Sequence, residues 1–223
     1  MKNLALATLS AIALAASANA GYVPDVISFT SLAEWQAAPS DPELNLYPGR
    51  TAQFYTEDFN ISGPQSFGAS SFSGGSGWSA WTATSSSGSL GSTGTSIYAT
   101  RAGSSIDFAF AEPTSMPLGG VRGIGGGFGF VDTYGNFVAG KIWLKLSTGD
   151  SIIKTITSPQ AFIGFWVADP NQVITSIRVQ PLGTSAASFS VSADTMYMGT
   201  VPAPGAIALL GAVGLVGPRR RRD

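Results

Sequence analysis

The chain has 223 residues, 44% apolar and 11% charged, with 28 Gly, 13 Pro, no Cys and no His. That length suits one domain plus processing segments; the missing Cys and His exclude the usual structural zinc sites, disulfide scaffolds, thiol catalysis and a Ser-His-Asp triad, and the apolar content excludes a disordered chain. The formal net charge is −1, but setting aside residues 1–20 and 201–223 leaves seven Lys and Arg against twelve Asp and Glu, about −5, which argues against nucleic acid as a partner.

Residues 1–20 read as an export signal. Lys2 supplies the positive start and Leu4 to Ala15 the apolar run. Ala18 and Ala20 form an A-x-A cleavage site that places the mature start at Gly21. A buried N-terminal helix would explain the apolar run, but not the order of the three parts.

Residues 21–200 are rich in Ser, Thr, Gly and aromatics, which is strand-and-turn composition. Ser31 followed by Glu34 forms a capping box opening a short helix, with Leu32 and Trp35 packed on a sheet and the end near Ala38, before Pro39. A loop over 39–49 follows. Period-two alternation marks strands around Ile106, Phe108 and Phe110; around Ile142, Leu144 and Leu146, which alternate with Lys141, Trp143 and Lys145; around Val173, Thr175, Ile177 and Val179; and around Phe189, Val191 and Ala193. Further strands are expected at 26–29, 53–61, 66–72, 78–83, 95–100, 121–131, 151–156 and 161–167. About ten strands with polar turns imply an all-β antiparallel β-sandwich, jelly-roll-like, with one short N-terminal helix.

Several segments invite a chemical reading. The Gly-rich run Gly119 to Gly129 lacks a phosphate-loop GxxxxGK[ST]. It fails GxGxxG too, because Phe128, Phe130 and Asp132 stand where the last Gly should be. A strand with close backbone packing fits it better. The Ser/Gly/Thr-rich stretch 70–95 reads as a loop region holding Trp78 and Trp81, either core residues or rings that stack on sugars. Among the acids, Glu57 and Asp58 are adjacent on a strand, point oppositely, and make a poor glycosidase pair. Asp132 and Asp169 sit in loop-like sequence and are candidate calcium ligands, although no DxDxDG loop is present. No other cofactor and no catalytic residue is indicated.

The last 23 residues have three parts. Val201, Pro202, Ala203, Pro204 and Gly205 form a helix-averse motif; Ala206 to Gly217 is apolar; Arg219, Arg220, Arg221 and Arg222 form a basic block. Twelve helical residues span about 18 Å, short of a hydrocarbon core about 30 Å thick. Such a segment suits a transient anchor with the Arg block stopped in the cytoplasm. A GPI-type tail would end apolar; a plain tail anchor is the competing reading.

This tail resembles the PEP-CTERM sorting signal of Gram-negative bacteria, in its VPxPG form, with Ala203 where the family usually has Glu. The resemblance implies that an exosortase, an integral membrane cysteine protease, cuts near the motif and passes the protein to the cell surface. The phrases SLAEWQAA (31–38), TEDF (56–59), FIGFW (162–166) and ITSIRV (174–179) are similar to those in the jelly-roll bodies of many exported PEP-CTERM proteins. The implied organisation is a signal peptide at 1–20, a sandwich at 21–200 and a sorting tail at 201–223. The implied role is a non-enzymatic structural or adhesive protein of biofilm or exopolysaccharide, anchored transiently in the inner membrane and then released to the surface or extracellular matrix. A carbohydrate-binding module is the alternative, with an exported polysaccharide hydrolase behind it.

Overall fold

In the computed structural model, residues 26–44, 46–47, 49–59, 65–66, 69–111, 119–132, 134–169, 171–182 and 189–201 are described. The expected cleavage site Ala18–Gly21, the motif residues Pro202 to Gly205, the apolar run and Arg219–Arg222 lie outside them. No helix among the described residues is long and apolar enough to cross a membrane.

Alternation of apolar and small or polar residues builds the strands. In chain order they are β1 Val26–Phe29, β2 Gln53–Glu57, β3 Gln65–Ser66, β4 Ser71–Gly74, β5 Trp81–Ser85, β6 Leu90–Ser92, β7 Ser96–Ala99, β8 Ile106–Phe110, β9 Gly123–Asp132, β10 Gly140–Leu146, β11 Ser151–Ile156, β12 Ile163–Val167, β13 Ile174–Pro181 and β14 Phe189–Thr200. They form two antiparallel sheets. One runs β1-β12-β9-β14-β7-β6-β3, with β2 also pairing β14; the other runs β11-β10-β13-β8-β5-β4. The protein is therefore an all-β antiparallel sandwich with one short helix.

The core lies between the sheets. The six-stranded sheet contributes Ala83, Phe108, Ile142, Leu144, Ile177 and Val179; the other contributes Leu90, Ile97, Ile124, Phe130, Phe165 and Val191, all essentially inaccessible. Each such aliphatic or aromatic side chain stabilises the fold by about 1.5–3 kcal/mol relative to exposure, before entropy is counted. β14 keeps its core face across a bulge. Val191 and Ala193 point inward; the register shifts between Asp194 and Met196 at Thr195, whose φ is +38°; Met196, Met198 and Thr200 then point inward. Without the extra residue, the second half of the strand would present the wrong face.

The helix α1 spans Leu32–Ala37, followed by a 3-10 turn at Ala38–Ser40. Ser31 is extended and its Oγ accepts from the Glu34 N–H at 3.5 Å, as the capping box requires. Pro39 takes the turn's second position and does not extend the helix.

Several expected boundaries differ. The strand expected at 66–72 is two strands in different sheets, β3 and β4. The one expected at 78–83 starts later, because Trp78 lies in a 3-10 turn over Gly77–Ser79. The stretch 70–95 carries three strands, β4, β5 and β6, and is not one long loop. Its hydroxyls bond to one another, with Ser73 Oγ 2.9 Å from Thr82 Oγ1 and Ser87 Oγ 2.6 Å from Ser104 Oγ.

Candidate functional site

The two sheets present contrasting outer faces. On the eight-stranded sheet, alternate residues of β9 are glycines: Gly123, Gly125, Gly127 and Gly129 face outward while Ile124, Phe128 and Phe130 face the core. Gly125 pairs with Gly164 of β12, and Gly123 with Gly199 of β14. This bare floor receives aromatic rings. A Cβ on Gly123 would lie 2.6 Å from the Trp166 ring, one on Gly125 2.5 Å from Phe162, and one on Gly199 2.4 Å from Trp166. The Gly-rich run is thus a strand shaped for close packing.

Helix α1 and the following loop close this face. Trp35 stacks on Trp166 with centroids 5.3 Å apart. Trp166 Nε1 donates to Trp35 O at 2.8 Å, and Trp35 Nε1 donates to Phe165 O at 3.1 Å. Tyr47 packs edge-on against Trp166, donates its hydroxyl proton to Val167 O, and lies under the guanidinium of Arg122 at 5.9 Å. Burial pushes the Tyr47 phenol up to about 12, and Arg122 opposes part of that rise. Burial also pulls Arg122 below its usual value. Its Nη1 donates to Gln172 O at 3.2 Å and Asp169 O at 3.4 Å. Val201 is buried in the same cluster.

The outer face of the six-stranded sheet is open. One cross-strand row reads Ile153, Trp143, Arg178, Asp107, Thr84, Ser71 through five registered pairs. A flanking row reads Ser151, Lys145, Ser176, Ala109, Thr82, Ser73. On the other side, Thr155, Lys141 and Gln180 are level with one another. Arg178 Nε donates to Asp107 Oδ1 at 2.5 Å, with the two side chains 51% and 30% exposed. Trp143 is half-buried and its Nε1 is covered without a hydrogen-bond partner. The surface it offers solvent is therefore ring carbon. Lys141 and Gln180 continue into a shallow cleft of about 340 Å³ with Ser86 and Ser105. That cleft has no carboxylate in its lining; a second, of about 250 Å³, has Asp194 alone.

The residues singled out in the sequence fall elsewhere. Trp81 is 3% exposed. Its ring packs against Phe59, Phe72 and Phe108, and its Nε1 donates to Glu57 Oε2 at 3.0 Å. It is a core residue and offers no ring face to a sugar, because its position in β5 points into the sandwich. Trp78 is half-buried against the same core. Glu57 also accepts from Tyr55 Oη at 3.1 Å and from the Phe59 N–H at 3.2 Å. Burial and then the Glu57 charge push Tyr55 up. Phe59, at φ +49°, is held in the left-handed region by this arrangement.

Asp132 and Asp169 are loop-closing carboxylates. Asp132 Oδ1 accepts from the N–H groups of Tyr134 and Asn136 at 2.8 and 2.9 Å; the Asn136 amide above all draws its carboxyl below the usual range. Asp169 Oδ1 accepts from Asn171 N at 2.8 Å and Oδ2 from Gln172 Nε2 at 3.1 Å. The pairing of β9 with β12 sets the two aspartates toward opposite ends of β9, so they do not share a site. Among the described residues, no three acidic side chains gather where a metal ion could sit.

The signal missed at sequence level was Trp143. It occupies the polar phase of a strand, between Lys141 and Lys145, where a large aromatic has no core to fill.

No family model and no curated protein matches the chain. Among solved structures, it is similar to a mutant of CBM29-2, a family 29 carbohydrate-binding module, at 10% identity over 67% of this chain and 92% of the other, with TM-score 0.36. A family 29 carbohydrate-binding module from Piromyces equi matches at 13% identity over 67% and 91%, with TM-score 0.37. A family two carbohydrate esterase from Cellvibrio japonicus matches at 11% identity over 69% of this chain and 36% of that one, with TM-score 0.30.

Proposed function

We propose that the chain is an exported, non-catalytic carbohydrate-binding sandwich that holds polysaccharide on the outer face of its six-stranded sheet. The observation that carries this reading is the registered row through Trp143: exposed ring carbon level with Arg178, Asp107, Thr84 and Ser71. A sugar ring has an apolar C–H face and a rim of hydroxyls. An indole surface matches the first, and ion-pair, amide and hydroxyl groups at strand spacing of about 4.8 Å match the second. A hydrogen-bonded sheet also lowers the ordering cost of gripping a long, repetitive chain.

Affinity electrophoresis of the full chain through gels containing neutral and acidic polysaccharides tests the reading. Trp143→Ala should abolish retardation, and Trp78→Ala should leave it unchanged. Retardation retained in W143A, or none for the wild type on any polymer, overturns the assignment.

The sorting tail gives this activity a setting: export, transient inner-membrane anchoring, then exosortase-like release to the cell surface or matrix. Burial of Val201 in the Trp35–Trp166 cluster supports a cut on its C-terminal side, because a chain ending at Thr200 would lose a core residue. Intact mass of the surface-released protein should fit a start at Gly21 and an end between Val201 and Gly205. Retention of Arg219–Arg222 would leave a tail-anchored protein instead.

A further inference from the structure

Charge is unevenly distributed over this molecule. The body carries about −5, yet among the described residues the outward positions of the six-stranded sheet include Lys141, Lys145 and Arg178 against a single carboxylate, Asp107. The described outward residues of this face therefore sum to +2 on an acidic protein. Its cations are also placed around the indole. Lys141 and Lys145 lie two residues either side of Trp143 on β10, about 13 Å apart along the strand. Arg178 is directly level with Trp143 on β13. Neither lysine has a carboxylate directly opposite on β11 or β13: the partners are Thr155 and Gln180 for Lys141, and Ser151 and Ser176 for Lys145.

We infer that the polysaccharide held here is a polyanion, a chain bearing carboxylates or sulfates at intervals, with Lys141 and Lys145 as its charge-reading residues on either side of the sugar stacked on Trp143. This rests on the binding face proposed above and adds the ligand class. A neutral glycan would leave the two ammonium groups unused, whereas an acidic one meets them without burying an unpaired charge. Nucleic acid is the other common polyanion. It is disfavoured because the described outward residues of this face include one aromatic, not the row of rings on which successive bases stack.

The test titrates the full chain with polygalacturonate, with the same polymer after carboxyl reduction, with galactomannan, and with single-stranded DNA, at low and high salt. Polygalacturonate should bind best and weaken with salt, and carboxyl reduction should remove most of the affinity. The K141Q/K145Q double variant should lose about tenfold or more on the acidic polymer, and K141R/K145R should restore it. Asp107→Asn should act in the opposite sense and tighten binding, because it removes the one carboxylate among the described outward residues of this face.

Equal, salt-insensitive and Trp143-dependent binding of galactomannan and polygalacturonate would overturn the polyanion inference and leave the binding face standing. Absence of binding to every polysaccharide would remove both. Preference for DNA over polygalacturonate, lost in K141Q/K145Q, would replace the glycan by a nucleic acid.

Discussion

The two outer faces of this sandwich start from the same device, alternation along a strand, and end with opposite uses. Outward positions on β9 are largely glycine, flanked by Gly164 of β12 and Gly199 of β14, and the sheet there is roofed by Trp35, Tyr47, Phe162 and Trp166. Outward positions on β10, β13, β8 and β5 are mostly polar or charged, with Ala109 and one tryptophan among them, and the sheet there faces solvent. A glycine floor removes side-chain bulk so that rings from distant segments can lie flat on the backbone. A polar floor keeps its own side chains and leaves the backbone out of reach. An aromatic residue thus means stability on one face and, under the proposed function, recognition on the other.

The largest expected effect separates these meanings. Trp166→Ala removes a fully buried indole, its hydrogen bond to Trp35 O and its stack on Trp35. It should cost about 3–5 kcal/mol in urea unfolding. Trp143→Ala, on the open face, should cost about 1 kcal/mol or less while removing glycan binding. Equal costs would erase the distinction between the faces.

The roof should also set an alkaline limit. Tyr47 is pushed up to about 12 from 10.0, so the folded state holds its phenolic proton more tightly than the unfolded chain does. Its stabilising contribution is complete below pH 10 and is lost as pH rises toward 12, because the unfolded state then binds fewer protons. The loss should reach about 2–3 kcal/mol near pH 12. Unfolding free energies measured from pH 9 to 12 should show this decline, and Tyr47→Phe should flatten it. A decline unchanged in Y47F would assign it to other groups.

The sequence revealed less of the site than of the fold, for a physical reason. Alternation shows which residues share a face of a strand, so Ile106–Phe110, Ile142–Leu146 and Val191–Ala193 were legible as core ridges. The Ser31–Glu34 cap is local and was legible too. Whether an outward face is later covered depends on segments far away in the chain. Trp35 reaches Phe165 across 130 residues, and no local pattern encodes that contact. For the same reason, the glycines of β9 read as a closely packed strand without showing what packs on them, and Trp81, set in Ser/Gly-rich sequence, read either as a core residue or as a ring for sugars. Trp143 carried the one usable clue, an indole in the polar phase.

The smallest effect tests the floor itself. In an open strand, Gly→Ala gains about 0.5–1 kcal/mol by reducing the freedom of the unfolded chain. At Gly123 the new methyl would sit 2.6 Å from the Trp166 ring and must displace it. The expected sign is therefore reversed, with a net loss of about 1–3 kcal/mol. If the loss arises from that contact, it must vanish when the ring is gone. In a cycle of G123A, W166A and the double variant, the glycine substitution should be destabilising beside Trp166 and neutral or stabilising beside Ala. That sign change gives a coupling above about 1 kcal/mol, as contacting residues show. Additive costs would mean that Gly123 is kept for its backbone, and that the roof rests on the sheet without needing a bare floor beneath it.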